Sequence, residues 1–218
     1  LSPMLWTSIA TGKMAYHHGV PGFTEVDPRS NAVVPVSAAT RRCRTVWEIL
    51  AERGLRSHVV SWFATQGERD LPGKVVSTMF CHVKTSGPDQ AASDWPPPPP
   101  GTYWPPELDR ELNDQRVSPH DIDPDQMIRL FVPEADKVDQ SKDQRLWMLA
   151  GKLAETFSAH NAALHLLQTD PDWDFFAVYY RAIDEICHLF MPYHPPKMDG
   201  VPEADFEMYR HVVEGAYR

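Results

Sequence analysis

The chain has 218 residues, 42% of them hydrophobic and 23% charged, with a formal net charge of -9. That is enough apolar material for the core of one domain, or of one domain with a modest insertion. The acidic balance argues against broad binding to a nucleic acid polymer or an anionic membrane, which need a positive field, and no apolar run has the length of a bilayer span.

The first segment, "LSPMLWTSIATGK", reads as a helix. Ser2 suits a cap, Pro3 the first helical position, and Leu5, Trp6, Ile9 and Ala10 recur at helical spacing before Gly12. "HHGVPGF" follows as a turn-rich loop. Residues 45–54, "TVWEILAERG", form the next helix, with Val46, Ile49 and Leu50 on its apolar stripe and Gly54 as C-terminal cap. "SHVVSWFA" reads as a strand, and "KVVSTMF" (74–80) as a second, shorter one. Helix, glycine, strand is the rhythm of α/β folds.

Residues 86–106 change character. "DWPPPPPGTYWPP" excludes regular helix and central strand, because proline lacks the N–H donor, and predicts an extended or polyproline II surface segment. "ELDREL" returns to helix, and "SPHDIDPDQMIRLF" is a second capped turn. The longest helix is predicted over 142–167, with Leu146, Leu149, Leu153, Phe157, Leu164 and Leu167 on one face. "WDFFAVYY" then reads as a strand buried on both faces, internal to a mainly parallel sheet. "RAIDEICHLF" is the helix after it, and "EADFEMYRHVVEGAYR" a last amphipathic helix.

Chemistry concentrates at two places. Asp184 and His188 are four apart on a predicted helix, so they share a face and can converge on one metal ion. That helix starts just past the end of a buried strand, where open α/β sheets place ligands. The same spacing also arises as an ordinary surface pair. Ser2 is either a plain cap or a nucleophile at a helix N-terminus, where backbone N–H groups and the dipole favour an incoming phosphate. His17 and His18 read as loop histidines bonded to backbone. His58, His82, His120, His160 and His165 have no partner at a telling spacing. Cys43, Cys81 and Cys187 form no CxxC and no disulfide framework. No signal-peptide pattern opens the chain; the compartment stays open, with the cytoplasm favoured.

Taken together, "SPMLWTSIATGKMAYHHGVPGF" resembles the nucleophile region of the alkaline phosphatase superfamily, closest to its type I phosphodiesterase/nucleotide pyrophosphatase branch. "TVWEILAERGLRSHVVSWFAT" resembles the helix and strand that follow, and "DWDFFAVYYRAIDEICHLF" the strand and helix with the Asp-x-x-x-His metal motif. The resemblance implies an α/β fold, a mainly parallel sheet flanked by helices over 1–218, with 87–133 as a proline-rich insertion or cap. It implies a metal-dependent phosphoric ester hydrolase with Ser2 as nucleophile and ligand of one ion. Asp184 and His188 then ligate the other. The cofactors implied are two divalent ions, zinc first and manganese second, and the substrate is a phosphate ester or nucleotide-like small molecule.

Departures from the pattern are equally plain. The family has a metal-binding Asp upstream of its nucleophile and an Asp-His pair downstream; no Asp-His dipeptide occurs here. The expectation is therefore an incomplete domain, truncated at both ends, with its metal sites incomplete or empty and little activity of its own. Exposed sheet edges would favour homo-oligomers. Ser2-Pro3-Met4-Leu5 does not match the sulfatase motif, and metal-dependent phosphoglycerate mutases, which share Asp-x-x-x-His and a serine nucleophile, have surroundings that differ from "LWTSIATGK". The competing reading is a non-catalytic α/β interaction domain acting through its proline-rich segment. Trp95, Tyr103 and Trp104 in the insertion either stack on a base or pack.

Overall fold

The computed structural model describes residues 1–82 and 96–218, which divide into two units. The first holds Leu1–His82, Pro97–Arg116 and Ala159–Tyr179; the second holds Val117–Ser158 and Tyr180–Arg218. Trp95 and the start of the proline-rich segment lie outside the described residues.

The first unit opens with helix α1 (Ser2–Thr11), closed by Gly12 in the left-handed region at φ 65°. The cap position is Leu1 and no side chain caps the helix, so the expected capping role of Ser2 is not what the structure has. Ser2 is already helical, with Pro3 beside it in the first turn, where a missing N–H leaves no bond unmade. The predicted loop "HHGVPGF" starts within a one-turn helix, α2 (Ala15–His18), and Gly19 closes it at φ 79°. A small hairpin follows, strand β1 (Thr24–Val26) antiparallel to β2 (Val33–Pro35).

Helix α3 (Val46–Ala51) begins at Thr45, whose hydroxyl accepts from the Glu48 N–H while the Glu48 carboxylate reaches back to the Thr45 N–H. This reciprocal pair satisfies two donors that a helix start otherwise leaves open. The main sheet has the order β5-β4-β3-β6. Strand β3 (Ser57–Trp62) is parallel to β4 (Lys74–Ser77) and to β6 (Phe175–Val178), and the short β5 (Tyr103–Trp104) is antiparallel to β4.

Helices cover both faces. Ala10 of α1 and Trp47 of α3 pack with Val59 and Val75 on one side. On the other, Val60 and Val76 meet Leu108 and Leu112 of α4 (Leu108–Leu112), with Ala159, Ala162, Ala163 and Leu166 of the long helix α6 (Arg145–Thr169). The "WDFFAVYY" strand is parallel, as expected, but it stands at the sheet's edge rather than inside it. Its unbroken apolar character has another origin. Phe175 packs on the α1/α3 side while Phe176 and Val178 pack on the α4/α6 side, so both faces are in contact with helices and the strand is half-buried, although among the described residues no strand pairs its other edge.

The second unit is helical. Its core gathers Val132, next to α5 (Arg129–Phe131), Leu149 and Leu153 of α6, and Ile186 and Phe190 of α7 (Ala182–Phe190). The predicted single last helix is two, α8 (Glu203–Tyr209) and α9 (Val212–Ala216). Both feed the same core through Tyr209, Val212 and Val213. The capped turn near Pro124 forms one wide π-helical turn, Pro124–Ile128. Among the described residues no helix is long and apolar enough to cross a membrane.

Candidate active site

In the first unit α1 is held from two directions. The Trp62 indole N–H donates to the Trp6 carbonyl at 3.1 Å. The Trp6 ring also packs against Trp62 and Tyr179, with centroids at 5.1 and 4.1 Å. Farther along, Ser8 Oγ lies 3.0 Å from Nε2 of the fully buried His18. The Val20 N–H donates to His18 Nδ1 at 3.1 Å. An Nδ1 that accepts carries no proton, so His18 is the neutral Nε2–H tautomer and donates to Ser8. Burial lowers its pKa, which keeps it neutral. His18 is thus a structural histidine with a backbone partner, as the sequence reading prefers.

These anchors fix where α1 begins. Ser2 is half-buried in its first turn, and no capping bond occupies its hydroxyl. Backbone N–H groups of a first turn lack intrahelical acceptors, and the helix dipole places positive potential there.

In the second unit Asp184 lies in the first turn of α7 and His188 in its last. Asp184 Oδ1 and His188 Nε2 are 3.5 Å apart, with side chains 50% and 76% exposed. The pair therefore shares one face, as the spacing predicts. The opposite face is fixed by Ile186 and Phe190 in the core. Beside them Glu185 reaches Lys152 of α6 at 3.0 Å and pairs with Arg181. The buried Glu155 joins this group, with its Oε1 3.5 Å from Lys152 Nζ. Burial, reinforced by the Glu185 charge, pushes the Glu155 carboxyl up to about 7. Glu185 feels burial too, but Arg181 and Lys152 outweigh it and hold that carboxyl below its usual range. The Arg181–Glu185 and Lys152–Glu155 spacings were visible in sequence; that they join across α6 and α7 was not.

A carboxylate oxygen and an imidazole nitrogen one helical turn apart suit a divalent ion as two of its ligands. Among the described residues no group of three or more His, Cys, Asp or Glu side chains gathers at one point. Other residues line the cavities of the described residues. One of about 850 Å³ in the first unit is flanked by Arg41, Glu48, Glu68, Arg69 and Trp104. There Arg41 and Glu68 form a buried pair at 2.6 Å, and the Trp47 N–H also donates to Glu68.

A mostly parallel sheet between two helical layers, with a serine at a helix start, defines an α/β fold of the alkaline phosphatase type. The model of the type I phosphodiesterase / nucleotide pyrophosphatase family matches residues 1–212, and the chain belongs to that family. Neither curated proteins nor solved structures give a match. The family hydrolyses phosphate esters and nucleotides and generally binds divalent metals.

Proposed function

We propose that the protein acts as a metal-dependent phosphoric ester hydrolase with Ser2 as nucleophile and Asp184 and His188 as ligands of one divalent ion. The observation that carries this reading is the 3.5 Å approach of Asp184 Oδ1 and His188 Nε2 on α7, in a chain of this family. Ser2 Oγ, giving up its proton, attacks phosphorus; the ester P–O bond breaks and the alcohol leaves carrying a proton. Water then hydrolyses the phosphoseryl ester, which restores the Ser2 hydroxyl and releases the phosphate, or a phosphate monoester when the substrate is a diester. The first turn of α1 favours the incoming anion through its N–H groups. Divalent ions, zinc first and manganese second, supply the charge that favours the serine alkoxide and offsets that of the transferring group.

Asp184, His188 and the Ser2 hydroxyl are fewer donors than two ions require, since each ion takes about three or four protein ligands. Turnover with these donors alone is therefore expected to stay near background. The experiment is hydrolysis of bis-p-nitrophenyl phosphate with zinc or manganese, beside Ser2→Ala and Asp184→Asn. Any metal-dependent turnover should vanish in both variants. Metal-dependent turnover above background that is unchanged by Ser2→Ala removes the serine from the mechanism. Robust turnover lost in the variant keeps the serine and overturns the donor count.

A further inference from the structure

The proline-rich segment has no part in the hydrolase reading, yet its described portion in the first unit has a definite form. Proline fixes φ, and a residue that precedes proline is held to extended ψ. Pro97–Pro100 are joined by trans bonds, so the run is a left-handed polyproline II helix with three residues per turn. Its far end is tied down. Pro100 and Gly101, the latter at φ 80°, are the central residues of a tight turn in which the Thr102 N–H donates to the Pro99 carbonyl at 3.3 Å. Proline then glycine is the pairing that a type II turn favours. The Thr102 hydroxyl donates to the same carbonyl at 2.6 Å, and Gln66 Nε2 donates to the Pro100 carbonyl. The Gly67 N–H donates to the Gly101 carbonyl at 2.8 Å, and the Ser77 N–H to the Thr102 carbonyl at 2.8 Å.

Three residues per turn give the run three edges, and the fold treats them differently. Pro97 and Pro100 share one edge and Pro99 stands on the next; all three are exposed. The third edge has Pro98, which is half-buried, and Gly101, where a Cβ would lie 3.1 Å from the Gly67 nitrogen. Two adjacent edges therefore face solvent while the third rests on the fold. All four prolines line one groove with Arg69. Arg69 is exposed and, among the described residues, meets no carboxylate within ion-pair distance. Asp109 of α4 is exposed and lines the same groove.

From the edge pattern, the anchored turn and the neighbouring cation, we propose that Pro97–Pro100 is a docking ridge for a protein domain of the SH3 type. The aromatic groove of such a domain takes two adjacent edges of a polyproline II helix and leaves the third outside. Pro97 and Pro100, one turn apart, supply the PxxP spacing, Pro99 fills the edge beside them, and Pro98 is the edge left out. A ridge already held in its bound shape loses little conformational freedom on docking. Arg69 is the charge complement of an acidic rim beside the aromatic groove, and Asp109 opposes the same rim. The ridge stands independently of the hydrolase reading, since Ser2, Asp184 and His188 do not line it.

NMR titration of a set of isolated ¹⁵N-labelled SH3 domains with the whole protein tests this. At least one domain should bind with a Kd between about 1 μM and 1 mM, the range of small transient contacts, and its shifts should be confined to the aromatic groove. Pro97→Ala and Pro99→Ala should each weaken that binding about tenfold, through lost packing and a looser free ridge. Pro98→Ala, on the inward edge, should weaken it less than either. Arg69→Ala should weaken it, and Asp109→Asn should not. Absence of binding by every domain of the set overturns the proposal and leaves the run a rigid spacer. So does binding in which Pro98→Ala costs as much as Pro97→Ala, or Asp109→Asn costs more than Arg69→Ala, because either places the contact elsewhere.

Discussion

Glu155→Gln should make the protein's stability less dependent on pH, in a direction fixed by the α6–α7 cluster. The Glu155 carboxyl is pushed from its usual 4.5 up to about 7, by burial first and then by Glu185. Between those two values the folded state binds more protons than the unfolded one, so wild-type stability falls as pH rises. Each pKa unit corresponds to about 1.4 kcal/mol, and a shift of this size gives about 3 kcal/mol, nearly all of it accrued by pH 7. Glutamine stays neutral throughout and its amide can still donate to Glu185. The variant should therefore gain on wild type by about 3 kcal/mol between pH 4.5 and 7.5, then run parallel to it. Urea unfolding of both proteins at half-unit pH intervals measures this difference, in which other titrating groups cancel. A difference that stays constant with pH would mean that Glu155 ionises as in water and that the cluster is misread.

Two other perturbations have defined outcomes. His18 and His58 are buried, and burial lowers both pKa values. Their contribution is complete above about pH 6.5, the ordinary histidine value, and is lost as pH falls below it. In the Glu155→Gln background, stability should therefore decline on acidification below about pH 6.5, which the same urea series reads; a flat profile would refute the neutral tautomers. A Cβ added at Gly73 would lie 1.9 Å from the Ser57 carbonyl oxygen, in the backbone of β3. Gly73→Ala should cost about 3 kcal/mol or abolish cooperative unfolding, as seen by thermal circular dichroism. A variant with wild-type Tm would show that β3 and β4 do not approach as described.

Local signals made much of this legible. The helix read over 45–54 is there, although α3 ends at Ala51 with Glu52 in the cap position and Gly54, at positive φ, closes the turn after it; the strand read at "SHVV" is buried throughout in β3. The Asp184–His188 face followed from helical spacing alone. What escaped was set by distance or by weak patterning. The β1–β2 hairpin pairs three residues a side with mostly exposed side chains, too little alternation to see. The break between α8 and α9 interrupts a pattern in which Phe206, Tyr209 and Val213 keep helical spacing, with no Gly or Pro to mark it. His58 showed no partner because its partners come from Lys74, whose N–H donates to Nδ1, and from the Asp170 carbonyl, 112 residues on. An apolar strand reads the same whether internal or at an edge, since composition reports covered faces and not paired edges. The catalytic reading came from motif order, not from periodicity.

The claim on which the rest depends is that α7 presents a metal-binding pair. Zinc titration of the protein with ¹⁵N-labelled histidine side chains, followed by the ring-nitrogen shifts, tests it without requiring turnover. The surface pair His211–Glu214, 4.0 Å apart on the last helices, serves as an internal control for chance carboxylate–imidazole neighbours. The account predicts that the His188 ring responds at lower zinc than His211 does, and that Asp184→Asn removes this advantage. A His188 that responds no earlier than His211, or that is indifferent to Asp184→Asn, would contradict it.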